Sequence, residues 1–333
     1  YSKGSTHFDS GPTTDDVNHQ TLSAYSVYSQ NQLTPIWLSL LRLGAGRDEN
    51  VSTGNFASEF QTDQNQATWQ NTFKLGASTL IAGYDYLEQK VASDTPFTVS
   101  RRTINSPFAG YRGDYGRHGI EANLRRDDNS QFGTPTTGSV GYGYRFTPTV
   151  KLRAAFGTAF HAPTFNDLYF PGLGNPDLQP ERSRNREIGI DYQTGEQRFA
   201  ATFFDNRIAQ LIVFVFDPVT FNGAPQNIAR ARIRGTELTY QGTILSTQLR
   251  ARLTLQDPAD DLSGFQLQRR AKQFGSIAAH HSWGAWKVGV EGVASGQRFD
   301  SPNESPASRL PGYALVNLFV TRRLSPEWLI EVR

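Results

Sequence analysis

The amino-acid sequence predicts an all-β protein, specifically a transmembrane antiparallel β-barrel. Three segments carry the clearest signal, 120–125, 139–146 and 151–160, because apolar residues recur at every second position in each of them. A two-residue period places the apolar and polar residues of a strand on opposite faces. A ring of such strands, apolar outside and polar inside, is typical of a barrel that crosses a membrane. The alternating apolar residues include Ile120, Ala122, Leu124, Val140, Tyr142, Tyr144, Phe146, Leu152, Ala154 and Phe156.

The composition agrees with a barrel and excludes membrane-spanning helices. Hydrophobic residues make up only 37% of the 333 residues, while the chain contains 30 glycines, 22 phenylalanines and 13 tyrosines. A transmembrane helix needs about 20 consecutive apolar residues, and the longest apolar run here is only 211–216. A barrel distributes its hydrophobicity over alternate positions, so a low hydrophobic content is compatible with the membrane.

Charge and cysteine content exclude several functional classes. The net charge of +2 gives no reason to expect a nucleic-acid partner. Four arginine pairs are scattered along the chain, and we interpret them as solvated strand ends rather than as contacts with phosphate or lipopolysaccharide. The absence of cysteine excludes disulfides, thiolate zinc sites and cysteine nucleophiles. The chain begins at Tyr1 without a methionine or a signal peptide, so we expect a mature or trimmed product.

About seventeen strands are expected from the alternating pattern. Short turns at 195–196 and 283–284 contrast with longer polar stretches at 257–265 and 300–311, and outer-membrane barrels have short turns on one rim and long loops on the other. Because single-chain bacterial barrels have an even strand number, either strands are missing or the count is wrong. The expected segments are 1–8, 17–30, 35–49, 56–75, 78–92, 100–116, 117–128, 136–147, 150–161, 183–194, 196–214, 228–243, 245–256, 268–283, 285–299, 311–324 and 327–333.

One of these segments, 228–243, contains a break in the alternation. Ala231 and Ile233 share one parity, but the apolar residues beyond Gly235 are Leu238 and Tyr240, on the other parity. A one-residue slip requires a bulge, which glycine tolerates. We therefore predict a bulge at Gly235 that turns Glu237 away from lipid and towards the lumen.

Several sequence fragments resemble the barrel of TonB-dependent outer-membrane receptors, and most closely the vitamin B12 (cobalamin) receptor branch. The resemblance extends over nearly the whole chain. The fragments that carry it are 124–133, 142–146, 157–169 (GTAFHAPTFNDLY), 174–183 (GNPDLQPERS), Glu187, 231–237 (ARIRGTE) and 267–273 (LQRRAKQ).

The resemblance implies a barrel of about 22 strands around an N-terminal plug, with a short N-terminal box that binds TonB. Residues 1–333 would then be one barrel domain that lacks the plug and the box. The first strand, a hairpin near Thr34–Pro35 and the last two strands would also be missing. We expect a monomer in the outer membrane of a Gram-negative bacterium, in contact with outer-membrane lipid and lipopolysaccharide.

By resemblance, the function is TonB-driven import of a scarce ligand, expected to be cobalamin, with no enzymatic activity and no required cofactor. A ferric-siderophore or haem receptor is the alternative within the family, and the acidic or neutral segments 218–226, 257–264 and 300–308 favour cobalamin over an anionic cargo. A passive porin is the alternative of another class. An outer-membrane lipase or protease is disfavoured because no convincing nucleophile–base pair is present.

A calcium site is the candidate metal site. Asp9, Asp15 and Asp16 supply three carboxylates within eight residues on a loop between strands, and carboxylate oxygens are the ligands that Ca²⁺ prefers. The resemblance to cobalamin receptors implies calcium in this loop, although the partner aspartates would lie in the missing hairpin. A flexible acidic loop without calcium is the alternative.

Three other polar groups are interpreted structurally. His161 and Asp167 flank a short helical turn that begins near a proline, and an acid–base role for them is disfavoured. Residues 127–129 are expected to form a solvated turn rather than a cation site. His280 and His281 are adjacent and therefore point to opposite faces of a strand, so they cannot chelate one metal ion.

Aromatic residues at strand ends, among them Tyr25, Tyr28, Trp69 and Trp283, are expected to lie at the membrane interfaces.

Overall fold

A computed structural model describes residues 1–8, 11, 14–55, 57–170, 172–217 and 222–333. These residues are almost entirely β-strand, with one short α-helix and one turn of 3₁₀-helix. Within the described ranges, no helix has the length and apolar character needed to cross a membrane.

The strands are long, and their bounds follow the predicted segments closely. The α-helix α1 spans Phe165–Tyr169 and the 3₁₀ turn Pro306–Ser308. The strands are β1 Ser2–Phe8, β2 Asp16–Thr34, β3 Trp37–Thr53, β4 Ser58–Leu75, β5 Ser78–Ser93, β6 Arg101–Tyr115, β7 His118–Arg126, β8 Asp128–Asn129, β9 Thr136–Arg145, β10 Val150–His161, β11 Glu181–Thr194, β12 Gln197–Asp217, β13 Asn222–Ile244, β14 Thr247–Asp260, β15 Gln273–Trp283, β16 Trp286–Ser295, β17 Arg298–Phe299, β18 Arg309–Leu310, β19 Tyr313–Arg323 and β20 Leu329–Val332.

Eighteen of these strands form one antiparallel sheet, which confirms the all-β prediction. Nearly every strand pairs with its neighbours along the chain, and the short β8 pairs with β6 beside β7. β17 and β18 form a separate two-stranded ribbon in the connection between β16 and β19. Within the described residues β1 and β20 are not paired with each other, so they form the two edges of the sheet.

The connections confirm the two-rim arrangement. One rim carries tight turns, including those at Gly195 and Gly284, which adopt φ values of 54° and 55°. Glycine reaches this left-handed region without the steric penalty of a Cβ atom. The other rim carries the long connections, such as 162–180 and 261–272. β2 and β3 pair directly through the turn at Pro35 and Ile36, with a register irregularity between Gln32 and Thr34.

One face of the sheet, here called the apolar face, carries a band of hydrophobic residues that continues from strand to strand. Many of its side chains are exposed, including Ile188 at 67%. Such exposure excludes a β-sandwich, whose apolar residues would be buried between two sheets. A row of directly opposed residues across β10 to β14 illustrates the band: Leu152, Ile190, Ala201, Leu238 and Leu253.

The opposite face, here called the polar face, carries charged and hydroxyl side chains at the alternate positions. Arg153 donates from Nε to Asp191 Oδ1 at 3.3 Å, and its guanidinium also bonds the Thr202 hydroxyl. Glu237 lies on this face and forms an ion pair with Arg252 at 3.3 Å. The predicted partition into an apolar and a polar face is therefore confirmed.

The predicted bulge at Gly235 is wrong. Gly235 pairs with Phe204 on one side and Gln256 on the other, in ladders without a register shift. Glu237 reaches the polar face by simple alternation. The glycine is needed for another reason, because a Cβ atom there would lie 2.3 Å from the carbonyl oxygen of Leu255.

The alternation reverses nearer the long-loop rim. Gln210 on β12 has a φ of 59°, and beyond it Leu211 packs in one buried cluster with Ile208 although the two have opposite parity. β12 and β13 have 21 and 23 residues, whereas a tilted membrane strand needs about 9–11. Both strands therefore extend past the apolar band, and the cluster lies on this extension, towards the long-loop rim. The cluster contains Leu211, Val213, Ala231 and Leu267, with Ile208, Val215, Ile228 and Ile233 packed against it. The break read from the sequence is thus real, but it marks this buried cluster and not a bulge.

Two segments expected to be loops belong to strands. Residues 257–260 complete β14, and β13 begins at Asn222 within the segment 218–226. Residues 218–221 lie outside the described residues. β13 extends because its first residues pair with the end of β12, and β14 extends because residues 257–260 pair with β13.

Candidate ligand-binding rim

The connection 162–180 folds back onto the sheet and contains the short helix α1. Thr164 caps the helix: its hydroxyl accepts from Asp167 N at 3.1 Å, and Asp167 Oδ2 accepts from Thr164 N at 2.8 Å. This reciprocal pattern is a capping box, which satisfies amide groups that a helix start leaves unpaired. The helical turn predicted here is confirmed. Asp167 serves as a cap of α1.

Arg102 fastens this connection to the barrel wall. Its side chain is 4% exposed, and its guanidinium lies 4.9 Å from the ring centroid of Phe165 and 5.2 Å from that of Phe132. Nε donates to Gln131 Oε1 at 2.5 Å, and the terminal nitrogen donates to the carbonyl of Pro163 at 2.9 Å. Burial lowers the pKa of Arg102 from its ordinary value. The guanidinium nevertheless remains charged at neutral pH, because arginine loses its proton only in strongly alkaline solution.

A second set of contacts holds the far end of the same connection. Asn227 on β13 exchanges hydrogen bonds with the backbone of Gln179, at 2.9 Å in each direction. Asn175 donates to the carbonyl of Pro225 at 2.9 Å. Leu168 and Leu178 are buried beneath the connection, at 2% and 3% exposure. The connection is therefore packed and hydrogen-bonded at both ends.

His161 and Glu181 form an ion pair where β10 and β11 meet this connection. His161 Nδ1 lies 3.3 Å from Glu181 Oε2, and Glu181 Oε1 accepts from Ile212 N at 2.8 Å. The contact with Glu181 raises the pKa of His161. Burial favours a higher pKa for Glu181, but the bonds from His161 and Ile212 outweigh burial and lower it. The partner of His161 is thus Glu181 and not Asp167.

This pair predicts a pH-dependent rim. A raised histidine pKa stabilises the folded state below the unfolded value of about 6.5, and this contribution disappears as the pH rises through the folded pKa. Glu181 stays ionised throughout that range because its pKa is lowered. We expect the hydrogen-exchange protection factor of the Ile212 amide to be higher at about pH 5.5 than at about pH 8.5. His161→Gln and Glu181→Gln should both remove this difference, and a difference that persists in both variants would contradict the prediction.

A cavity of 480 Å³ opens between this connection and the polar face of β4 to β6. Its polar groups come from several strands, and its apolar groups come from strands and α1 alike. The lining residues include Gln64, Gln89, Arg125, Asp127, His161 and Phe165. A second cavity, of 880 Å³, lies nearer the tight turns. Its charged lining residues are mostly basic: Arg145, Lys151, Arg198, Arg250 and Arg252, with the acidic Asp191 and Glu291.

The calcium residues are only partly described. Asp9 lies outside the described residues. Asp15 is exposed, and its Oδ1 lies 2.9 Å from His7 Nδ1. Asp16 is fully buried, and its Oδ1 accepts from Asn55 N at 2.6 Å. Among the described residues no group of three His, Cys, Asp or Glu side chains is arranged to hold a metal ion.

The other structural interpretations have different outcomes. The solvated turn expected at 127–129 is wrong, because Asp128–Asn129 form β8 and Asn129 is 3% exposed. Asn129 Oδ1 accepts from Gln131 N and Phe132 N, at 3.0 and 3.3 Å, so the turn follows this strand. His281 bonds Thr247 at 2.9 Å whereas His280 contacts Phe319, and the two imidazoles therefore lie on opposite faces. Exposed aromatic side chains include Tyr25, Tyr28, Trp69 and Trp283, at 52–69% exposure.

Sequence reasoning missed the residues that hold the rim together. The pair Arg101–Arg102 was visible, but alternation shows only that the two side chains point to opposite faces. Which of them is buried depends on Pro163, which lies 61 residues further along the chain. Asn227 reaches Gln179 across 48 residues. No local signal predicts either contact.

Comparison with known proteins identifies the family. The family model described as TonB dependent receptor-like, beta-barrel, matches residues 2–333. A vitamin B12 transporter BtuB from Photobacterium profundum is 29% identical over 318 residues, which cover 91% of this chain and 51% of that protein. BtuB from Vibrio cholerae is 27% identical, with coverage of 89% and 49%. The chain thus spans about half the length of these curated relatives.

Solved structures share the fold. A mutant of the ferric enterobactin receptor PfeA from Pseudomonas aeruginosa superposes with a TM-score of 0.80 at 18% identity, covering 94% of this chain and 55% of that one. The copper transporter OprC gives a TM-score of 0.76 at 14% identity, covering 95% and 58%. At these identities the likeness shows the fold alone. The family model matches almost every residue of the chain, and this protein therefore belongs to the TonB-dependent receptor β-barrel family, whose members are receptors and transporters of the Gram-negative outer membrane.

Proposed function

We propose that this chain forms the barrel wall of a TonB-dependent transporter that imports vitamin B12 across the outer membrane. The observation that carries the proposal is the similarity to vitamin B12 transporters over 318 residues. The apolar face would contact lipid, and the polar face would line a lumen wide enough to need a plug. A passive porin is disfavoured by membership of a receptor family. TonB, acting on a plug from the periplasm, would supply the energy.

Hydrogen-bonding side chains on the polar face support this cargo. Corrinoids present amides and a metal-centred ring without strong net charge, so side chains such as Gln64 and Gln89, which line the 480 Å³ cavity, suit them. Two arginines of the polar face are paired with carboxylates, Arg252 with Glu237 and Arg153 with Asp191. The packed connection that carries α1 forms one wall of this cavity.

Binding of cyanocobalamin to the protein purified from outer membranes tests this proposal. We expect saturable binding in an isothermal titration, at a stoichiometry of one. Tight binding of a ferric catecholate siderophore with no binding of cyanocobalamin would reassign the cargo to the siderophore branch.

Calcium at Asp9, Asp15 and Asp16 remains a proposal of the same kind. In the sequence Asp9 and Asp15 lie between β1 and β2, and Asp16 is the first residue of β2. Asp15 is exposed, and a cation there would compete with His7 for its carboxylate. The titration with cyanocobalamin should weaken when a chelator removes calcium, and Asp15→Asn should reduce that sensitivity. Identical affinity with and without chelator would contradict a calcium-ordered loop.

A further inference from the structure

Seven arginines form a grid on the apolar face, just beyond the hydrophobic band on the side of the long loops. They share the parity of Ile188 and Ile190 on β11, and of Leu238 on β13, so they lie on the face that carries the band. The pairing brings them into adjacent rows on three neighbouring strands. The arginine grid comprises Arg182, Arg184 and Arg186 on β11, Arg207 on β12, and Arg230, Arg232 and Arg234 on β13.

The register places like charges directly opposite one another. Arg184 pairs with Arg207, and Arg207 pairs with Arg232, so three arginines stand in one row across three strands. Directly opposed residues in an antiparallel pair have Cβ atoms about 4.5–5.5 Å apart, and like charges in that position are destabilising. Arg184 is the member of this row without a carboxylate partner among the described residues, since Arg207 and Arg232 share Asp205.

Carboxylates of the protein neutralise only part of this charge. Asp205 accepts from Arg232 at 2.8 Å and lies 3.4 Å from Arg207, and Asp257 lies 3.4 Å from Arg234. The remaining four have no ion-pair partner among the described residues: Arg182, Arg184, Arg186 and Arg230. A concavity of 500 Å³ lies among the arginines and is lined by Arg182, Arg184, Arg207 and Arg230, with Thr136, Thr158 and Asp261.

Hydrophobic surface adjoins the arginine grid in the direction of the tight turns. Phe156 pairs directly with Arg186, and Ile188 and Phe203 follow in the next row. All three side chains are exposed, at 38–67%. Further along, a groove of 400 Å³ is lined almost entirely by apolar groups of Ile190, Tyr192, Phe199, Leu238, Tyr240 and Leu253. One face thus offers a cationic site and, beneath it, an apolar groove.

We propose that the arginine grid binds the phosphate groups of a lipid in the outer leaflet, whose acyl chains lie along Phe156, Ile188 and Phe203. The inference rests on the proposed membrane setting. Guanidinium groups pair with phosphate through two parallel hydrogen bonds. A phosphate bound between opposed arginines would also offset the repulsion between their positive charges. A soluble phosphate would use the arginines but not the apolar groove, so the combination selects a phosphorylated lipid. The scattered arginine pairs noted in the sequence contribute nothing to this surface.

Binding of diphosphoryl lipid A to the detergent-purified protein, followed by native mass spectrometry, tests the proposal. The variant Arg182→Gln/Arg184→Gln/Arg230→Gln removes three unpaired arginines and should weaken binding by about tenfold or more. The matched control removes three arginines from the polar face and should leave binding unchanged: Arg112→Gln, Arg198→Gln and Arg250→Gln. Equal binding by both triple variants would overturn the proposal. So would inorganic phosphate that displaces lipid A at equal concentration, because the site would then be a free-anion site.

Thermal unfolding distinguishes a loss of lipid binding from a folding defect of the variant. Arg184→Gln relieves a like-charge pair, so without lipid its Tm should equal or exceed that of the unchanged protein. Added lipid A should raise the Tm of the unchanged protein more than that of Arg184→Gln. A lower lipid-free Tm together with a full lipid-induced gain would refute the proposal. Binding of cyanocobalamin should be the same in the unchanged protein, in Arg184→Gln and in the triple variant of the arginine grid, because none of these arginines lines the 480 or the 880 Å³ cavity. Failure of the lipid proposal is therefore distinguishable from failure of the proposed transport function.

Discussion

Ala201→Arg is expected to destabilise the protein in lipid vesicles by about 2–4 kcal/mol, whereas Ala200→Arg should have little effect. Ala201 lies within the apolar band, directly between Ile190 and Leu238. An arginine there places a charge in hydrocarbon. Ala200 is its neighbour on the polar face and lies between Asp191 and Thr239, where a guanidinium meets a carboxylate.

The two variants form a matched pair because residue type, substitution and strand are identical. Urea-induced unfolding followed by tryptophan fluorescence gives the free energy of unfolding for each variant in the same vesicles. The difference between them measures the contrast between the two faces, since any effect of arginine on strand propensity cancels. Equal destabilisation, or a larger effect at Ala200, would show that the apolar face does not contact lipid.

The arrangement of faces is the part of the fold that the sequence predicts well. A strand has a period of two wherever it lies, so Tyr142, Leu152 and their neighbours reveal their face without knowledge of any partner. Glycine at tight turns and long polar segments between strands are equally local signals. For these reasons the order of the strands agrees with the seventeen predicted segments, and most ends differ by a few residues. The structure contains three further strands of two residues each, β8, β17 and β18, which the alternation did not reveal.

The interpretation of the 228–243 segment was less successful, for a physical reason. The change of parity at Gly235 predicts a bulge only if membrane lipid contacts the whole length of the strand. β13 is longer than the apolar band, and its upper part packs Ala231 and Ile233 against Leu267 of a distant connection. A change in which face is buried and a change in register leave the same pattern in one sequence. Only the pairing partners distinguish them.

The candidate site depends on contacts of the same long-range kind. Glu181 and His161 lie 20 residues apart in sequence but are directly paired on β10 and β11. The arginine grid is likewise invisible along the chain, since its residues come from three strands and alternate with other side chains. Their charge is recognisable in the sequence, but their common face follows only from the register. Sequence patterns therefore predicted the barrel wall, and three-dimensional contacts were needed for the rim.

Arg102→Ala is expected to loosen the connection 162–180 by about 2–4 kcal/mol. The substitution removes hydrogen bonds to Gln131 and to the carbonyl of Pro163, and it removes the cation between Phe132 and Phe165. The Pro163 carbonyl would remain buried without a donor. Because the barrel strands do not depend on this contact, the effect should be local opening rather than global unfolding.

Hydrogen exchange measures that opening directly. The amides of Leu168 and Asn175 donate to the carbonyls of Thr164 and Asp167 within the connection, at 3.2 and 2.7 Å. In Arg102→Ala the free energy of local opening measured at these two amides should fall by about 2–4 kcal/mol. The adjacent Arg101→Ala is the control. Arg101 is 62% exposed and pairs with Glu88 at 2.6 Å. Lys90 lies 3.2 Å from the same carboxylate, so Glu88 keeps a cationic partner in Arg101→Ala and the connection should stay protected.

A conservative variant separates charge from geometry at the same position. Arg102→Lys keeps the positive charge but lacks the planar guanidinium that stacks between two rings and donates in two directions. We expect it to resemble Arg102→Ala in hydrogen exchange, and we expect both to weaken cyanocobalamin binding, because the connection lines the 480 Å³ cavity through Phe165 and His161. Full protection in Arg102→Lys would mean that charge alone holds the rim. Unchanged ligand affinity in a variant whose connection has opened would separate this rim from the binding site.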